Sequence, residues 1–330
     1  MRVAQLGAGR IGAMHAQILS GLVEPGSLVV ADLDISRAQA VATAVGAEAS
    51  EIGPAIAGAD ALVIAASSTA HPELIRAGVA RGIPVFCEKP LATDLAATES
   101  LVGEIESSGI PFQLGFQRRF DAGYAEARRM VADGSLGTLY VVRLAGHDPE
   151  PPHEAYIPLS GGIFNDFSVH DFDVTRWLTG QEIEEVYADG GVLGFEVFAK
   201  YDDVDTAVAT LRLSGGTLAI LSATRHDPLG YDIRTELFGS GDSISVGLGP
   251  RTPMRSTEPG VPPPAGPAWS MFMDRFHDAY ENELRAFLRV ARGEEESACT
   301  ARDGLEAVRV AVAATRSLRE HRPVRLAEVT

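Results

Sequence analysis

The chain has 330 residues, 45% of them hydrophobic and 22% charged, a globular composition long enough for one large or two ordinary domains. Its net charge of −17 argues against nucleic acid or an anionic membrane as the main partner, because both select a basic face; an anionic metabolite needs only a local cluster of donors. Two cysteines, Cys87 and Cys299, are too few for a disulfide framework or a zinc ribbon. No run is long and apolar enough to cross a bilayer, and "MRVAQLGAGRIG" reads as a first strand and not a signal peptide, so a soluble cytoplasmic protein is expected.

The first third alternates short apolar runs with helical stretches. "RVAQLG", "SLVVAD", "DALVIAAS", "IPVFCE" and "PFQLGF" read as strands buried on both faces. Between them "IGAMHAQILSGL", "SRAQAVATAV", "PELIRAGVARG" and "DLAATESLVGEIESSG" read as helices. Such alternation predicts a parallel sheet with helices on both sides, a Rossmann-type dinucleotide-binding domain over residues 1–118.

Inside it, "GAGRIG" places Gly7, Gly9 and Gly12 in a G-x-G-x-x-G pattern directly after the first strand. The first glycine permits a tight turn, the second lets backbone approach a pyrophosphate, and the third lets the helix pack against the strand. Asp32 ends the second strand about twenty residues on, where a ribose-binding carboxylate belongs. A carboxylate there accepts from a 2′-hydroxyl and repels a 2′-phosphate, which favours NAD over NADP. Arg37 is the counter-argument, since it is close enough in sequence to reach a phosphate. "FCEKPLATD" (86–94) then ends the fourth long strand and brings Lys89 to the end of the sheet that faces the ligand crevice.

The pattern changes near residue 119. "LYVVRLAGHD", "EEVYADGGVL", "DTAVATLRL", "GTLAILSATR", "YDIRTELFG" and "DSISVGL" read as six strands, with hairpin turns at 214–216 and 239–242. They predict an antiparallel meander, an open and predominantly antiparallel sheet in an α+β domain over 119–330. Residues 250–268 are a proline-rich loop, and helical runs near 270–292 and 302–321 close the chain. One layer of helices covers one face of such a sheet, so the other face, with its Val, Leu, Ile and Thr side chains, predicts a homo-oligomer.

"SGGIFNDFSVHDFDVTRW" (160–177) stands apart. Read as a helix, it is mostly apolar yet carries Asp166 and His170 four residues apart on one face. The pair can be a structural contact, two metal ligands or a catalytic couple. A third ligand is not evident nearby in sequence, which weighs against metal. Asp171 and Asp173 read as hydrogen-bonding or solvated surface groups.

"GAGRIG", "CEKPLATD" and "GGIFNDFSVHDFD", in this order and at these separations, resemble the glucose–fructose oxidoreductase/inositol dehydrogenase/rhizopine-catabolism (Gfo/Idh/MocA) family over essentially the whole chain. "GFQRRFD" (115–121), "GHDPEPP" (146–152) and "LGYDIRTELFG" (229–239) are similar to segments of its inositol 2-dehydrogenases, with Gln117 in place of a methionine and Asp148 in place of an asparagine. The resemblance implies that Lys89, Asp166 and His170 are catalytic, that Arg118, His147, Asp148 and Tyr231 line the substrate pocket, and that assembly through the sheet often gives tetramers. The cofactor-binding set is Gly7, Gly9, Arg10, Ile11, Gly12, Asp32, Ser67, His71, Glu88 and Lys89.

Oxidising an alcohol requires loss of the hydroxyl proton as hydride leaves. His170 is suited to take that proton as general base, Asp166 to orient it, and Lys89 to stabilise the alkoxide, with the two domains expected to meet at the crevice. The expected activity is NAD-dependent oxidation of a secondary hydroxyl of a cyclic polyol, an inositol to its keto form. The alternatives are a sugar dehydrogenase of the same family acting on an aldose or anhydrosugar, a non-catalytic nicotinamide-binding sensor and, more distantly, a metal-dependent hydrolase.

Overall fold

Four-residue apolar runs build the first sheet. β1 (Val3–Leu6), β2 (Leu28–Ala31), β4 (Ala61–Ile64), β5 (Val85–Glu88) and β6 (Phe112–Gly115) are each buried along their whole length, and β3 (Glu48–Ser50) is a short polar edge. All pairings are parallel, in the order β3-β2-β1-β4-β5-β6. The strand order reverses between β1 and β4, and ligands bind at such a reversal in open α/β sheets. Helices α1 (Arg10–Ser20), α2 (Ile35–Val45), α3 (Ile52–Gly58), α4 (His71–Arg81) and α5 (Leu95–Ser108) join the strands. Asp34 caps α2 and Asp94 caps α5 by accepting from backbone amides two or three residues on. The sequence reading missed β3 and α3. "EAS" is too short and polar to read as a strand, and the glycines and proline of "IGPAIAG" read as loop.

This computed structural model describes residues 1–329, and these divide into two units: Met1–Phe120 with Asp278–Leu305, and Asp121–His277 with 306–329.

The second unit carries α6 (Ala122–Ala132), the single-turn α7 (Ile157–Ser160), α8 (Val169–Thr179) and the short α9 (Phe272–Arg275), beside a seven-stranded sheet. Its strands are β7 (Leu139–His147), β8 (Ile183–Gly191), β9 (Thr206–Leu213), β10 (Leu218–Thr224), β11 (Asp232–Gly239), β12 (Ser243–Val246) and β13 (Val324–Arg325), in the order β12-β11-β7-β10-β9-β8-β13. The sheet is predominantly antiparallel but is not the expected meander: β7 lies between β11 and β10 and runs parallel to β10, with His147 opposite Thr224. Only the β8–β9–β10 and β11–β12 segments are consecutive hairpin neighbours.

Two long helices complete the chain. α10 (His277–Ala291) lies almost entirely in the first unit, where the Glu283 carbonyl accepts from Gln113. α11 (Ala301–Glu320) runs into the second, where Ser317 accepts from the Ala188 amide of β8. Along β9 and β10 buried and exposed residues alternate. One face is packed, and the other leaves Tyr187, Val208, Leu218 and Ile220 exposed between the ion pairs Arg143–Glu236 and Arg212–Glu185. No helix among the described residues is long and apolar enough to cross a membrane.

Candidate active site

In the first unit the glycine pattern forms the turn that the sequence predicts. Gly7 has φ +102°, and a Cβ there would meet the Ala65 carbonyl oxygen at 2.5 Å. A Cβ on Gly12 would collide with the Gly7 carbonyl, whereas one on Gly9 would meet nothing within 4 Å. Two glycines are therefore demanded by packing, and the third keeps the start of α1 open. Asp32 accepts from the Ala8 amide at 2.6 Å and the Asp34 amide at 2.9 Å, which fastens the end of β2 to the glycine turn. Asp34 adds a second carboxylate; hydrogen bonds from Ser36 hold it below the usual carboxylate range. Arg37 is exposed and lies against Asp34 at 3.3 Å. The residues at this turn fit a dinucleotide: an unobstructed backbone at Gly9, a helix N-terminus, and acid where a ribose hydroxyl belongs.

Arg10 is exposed, Ile11 half-buried, and Ser67 exposed with its hydroxyl 3.2 Å from that of Thr69. His71 is buried, with Nδ1 2.7 Å from the Pro90 carbonyl and Nε2 3.2 Å from the Ala66 carbonyl. Burial lowers its pKa, which disfavours the charged ring. It clamps the loop after Lys89 through backbone contacts. Lys89 is half-buried at the end of β5. The preceding Glu88 shares a 2.6 Å hydrogen bond with His15 of α1, which ties the lysine-bearing strand end to the helix that begins at the glycine turn. Beside Glu88 lies Glu283, fully buried, neither of its carboxyl oxygens hydrogen-bonded. Burial, reinforced by the charge of Glu88, pushes the Glu283 carboxyl well up. Arg118 is in this unit too, buried on a 3-10 turn spanning Gln117–Phe120.

The second unit holds the acid–imidazole segment. Its first turn, Phe164–Ser168, is a π turn and α8 follows directly, where the sequence predicts one regular helix. Single π turns are frequent at functional sites, where they re-aim one residue without ending the helix. Asp166 lies in the π turn and His170 in the first turn of α8, both half-buried. Asp171 and Asp173 are not the surface groups expected: each is 1% exposed. Most of α8 is buried, its apolar Val169, Phe172, Val174 and Leu178 and the two aspartates alike, so Asp171 and Asp173 do not lie on a solvated face.

Asp166 is gripped on both oxygens. Tyr156 donates to Oδ1 at 2.9 Å, and Arg225 Nη1 lies 3.0 Å from Oδ2. The same nitrogen is 3.5 Å from Asp148 Oδ2, and the guanidinium carbon sits 5.6 Å from the centre of the Phe167 ring. Burial opposes the charge of Arg225, but Asp166 and Asp148 outweigh it and hold its pKa above the usual arginine range. Asp203 accepts from the Ile163 and Val204 amides, yet burial pushes its carboxyl up. His147, at the end of β7, meets the Thr224 hydroxyl through Nδ1 at 2.7 Å, and burial lowers its pKa. Tyr231 is buried, its backbone amide donating to the Trp269 carbonyl and its ring edge-on to Phe276. Thus Asp148, Asp166 and the overlooked Arg225 form one cluster, with His147 next to Asp148 in sequence. Among the described residues no group of three or more His, Cys, Asp or Glu side chains could hold a metal ion.

Residues 1–116 match the oxidoreductase family with an NAD-binding Rossmann fold, and residues 124–245 match the GFO/IDH/MocA C-terminal domain. The chain is 44% identical over 322 residues to the myo-inositol dehydrogenase Hyg17 of Streptomyces leeuwenhoekii, covering 96% of this chain and 97% of the relative. The crystal structure of a probable dehydrogenase from Thermotoga maritima superposes with a TM-score of 0.91 at 34% identity, over the full length of both chains. The scyllo-inositol dehydrogenase of Lactobacillus casei with bound NAD(H) and scyllo-inositol superposes with a TM-score of 0.88 at 27% identity, over 99% of each. The chain therefore belongs to the GFO/IDH/MocA oxidoreductases, with an NAD-binding Rossmann domain followed by the family's C-terminal domain.

Proposed function

We propose that this protein oxidises a secondary hydroxyl of a cyclic polyol, an inositol to its keto form, with NAD as acceptor. The observation that carries the proposal is the Asp166–His170 segment with both oxygens of Asp166 held, in a chain whose relatives are named inositol dehydrogenases. NAD, when bound, takes the hydride; the protein supplies position and charge. His170 accepts the hydroxyl proton as general base, Asp166 orients the imidazole and balances its charge, and Lys89 stabilises the developing alkoxide. Arg118, His147, Asp148 and Tyr231 bind the remaining hydroxyls. Asp32 and Asp34 favour a free 2′-hydroxyl over a 2′-phosphate, so NAD is preferred to NADP.

We also propose that the protein works in the cytoplasm as a homo-oligomer, a tetramer, through the exposed face around Tyr187, Val208, Leu218 and Ile220. Buried Cys87 and Cys299, neither in a disulfide, fit a reducing compartment. The central test is absorbance of reduced nicotinamide with purified protein, NAD or NADP, and a panel of inositols and sugars. Turnover with an inositol is expected. Turnover confined to aldoses would make it a sugar dehydrogenase, and cofactor binding with no turnover would make it a sensor.

A further inference from the structure

Arg225 belongs to no sequence motif and was not among the expected site residues. It follows the last residue of β10, and its backbone amide donates to the Asp205 carbonyl at 2.8 Å. Its side chain is 3% exposed. Removing a guanidinium from water costs several kcal/mol unless carboxylates repay it. Three acids face it from three segments: Asp148 after β7, Asp166 in the π turn, and Asp203 after the 3-10 turn Glu196–Tyr201.

Two details argue for more than a structural ion pair. The carboxylate of Asp166 is clamped from both sides, by Arg225 on one oxygen and Tyr156 on the other, so it has one orientation. Arg225, moreover, is not built for maximal pairing. Both ion pairs converge on Nη1, while buried Nε and Nη2 have no hydrogen-bond partner, whereas a buried structural arginine normally has its donors satisfied.

We propose that Arg225 is a positioning residue for the oxidation: it fixes Asp166 as an anion in one orientation, four residues before His170, and thereby sets the basicity of His170. The proposal rests on the dehydrogenase reading above. A cation next to Asp166 offsets part of the field that the carboxylate exerts on the imidazole. Without that cation, His170 holds its proton to higher pH and Asp166 itself is easier to protonate. Both changes move the acid limb of the activity profile upward.

The test is the pH dependence of kcat/KM for the polyol in Arg225→Met and Arg225→Lys, with NAD affinity and thermal midpoint measured in parallel. In Arg225→Met the acid limb is expected to move up by about one pH unit or more, with kcat reduced and NAD affinity unchanged. Arg225→Lys, which restores the charge, is expected to return the limb to its wild-type position. If Arg225→Met does not fold, Arg225→Gln keeps a polar side chain of similar length without the charge and is expected to move the same limb upward. A folded variant with a lowered midpoint but a wild-type pH profile would overturn the inference and leave Arg225 a structural residue. A wild-type protein that oxidises no polyol would instead overturn the parent reading.

Discussion

Each unit buries a cluster of carboxyl groups, and the two clusters handle charge in opposite ways. In the second unit Asp148 and Asp166 converge on Arg225, a group that cannot give up its proton. In the first, Glu88 meets His15 while the Glu283 carboxyl, beside Glu88, has neither oxygen hydrogen-bonded. A guanidinium keeps its carboxylates ionic and able to steer a proton. An imidazole already shared with Glu88 cannot do so for a second acid, and burial pushes the Glu283 carboxyl well up. Acidic residues enclosed in one protein thus divide into a set that faces a permanent cation and one, Glu283, that faces none.

The largest expected effect tests that division directly. His170→Ala should lower kcat by about a hundredfold or more, the scale for loss of a positioned general base, while NAD affinity stays near wild type. Asp166→Asn should also reduce turnover, because the amide keeps the shape but not the charge that Arg225 and Tyr156 hold in place. If the folded His170→Ala protein kept normal kcat, the second cluster would be as inert as the first and the contrast would vanish.

Asp32 gives an intermediate case: its carboxylate is held by backbone amides with neither a cation nor deep burial. Asp32→Ala should narrow the preference for NAD over NADP, by about tenfold if one charge-assisted hydrogen bond to the ribose is lost. Steady-state kcat/KM with both cofactors measures it. An unchanged ratio would move the discrimination to Asp34.

The same contrast explains what was legible beforehand. The glycine turn and Asp32 are encoded locally: a turn, a strand end and a fixed spacing suffice, so Gly7, Gly9, Gly12 and Asp32 were read directly. Asp166 and His170 are local too, within one helical segment. Arg225 is not. It reaches Asp148 because β7 and β10 lie side by side and parallel, with His147 opposite Thr224. Six consecutive strands with hairpin turns read as a meander, which hides that pairing. Glu283 is hidden for a similar reason, since it comes from a late helix that returns to the first unit. A lone glutamate in an amphipathic helix reads as solvated; only tertiary packing shows it to be fully buried.

The smallest effect concerns Glu283 and is one of stability. Its folded-state pKa lies well above the ordinary value of 4.5. Below that value both folded and unfolded chains carry the proton, and stability does not depend on this group. As pH rises past it, the unfolded chain releases the proton while the folded chain retains it. Stability is then lost at up to about 1.4 kcal/mol per pH unit, until the folded pKa is reached. Glu283→Gln cannot ionise and removes this slope. The buried amide carries its own cost of about 1–3 kcal/mol if unpaired, but that cost is independent of pH. The informative quantity is therefore the difference between the two stability–pH curves. It should be flat in acid and should increasingly favour the glutamine variant from about pH 5 upward, with kcat unchanged. Parallel curves would mean that Glu283 ionises as easily folded as unfolded. The first cluster would then be charged like the second, and the distinction between them would fail.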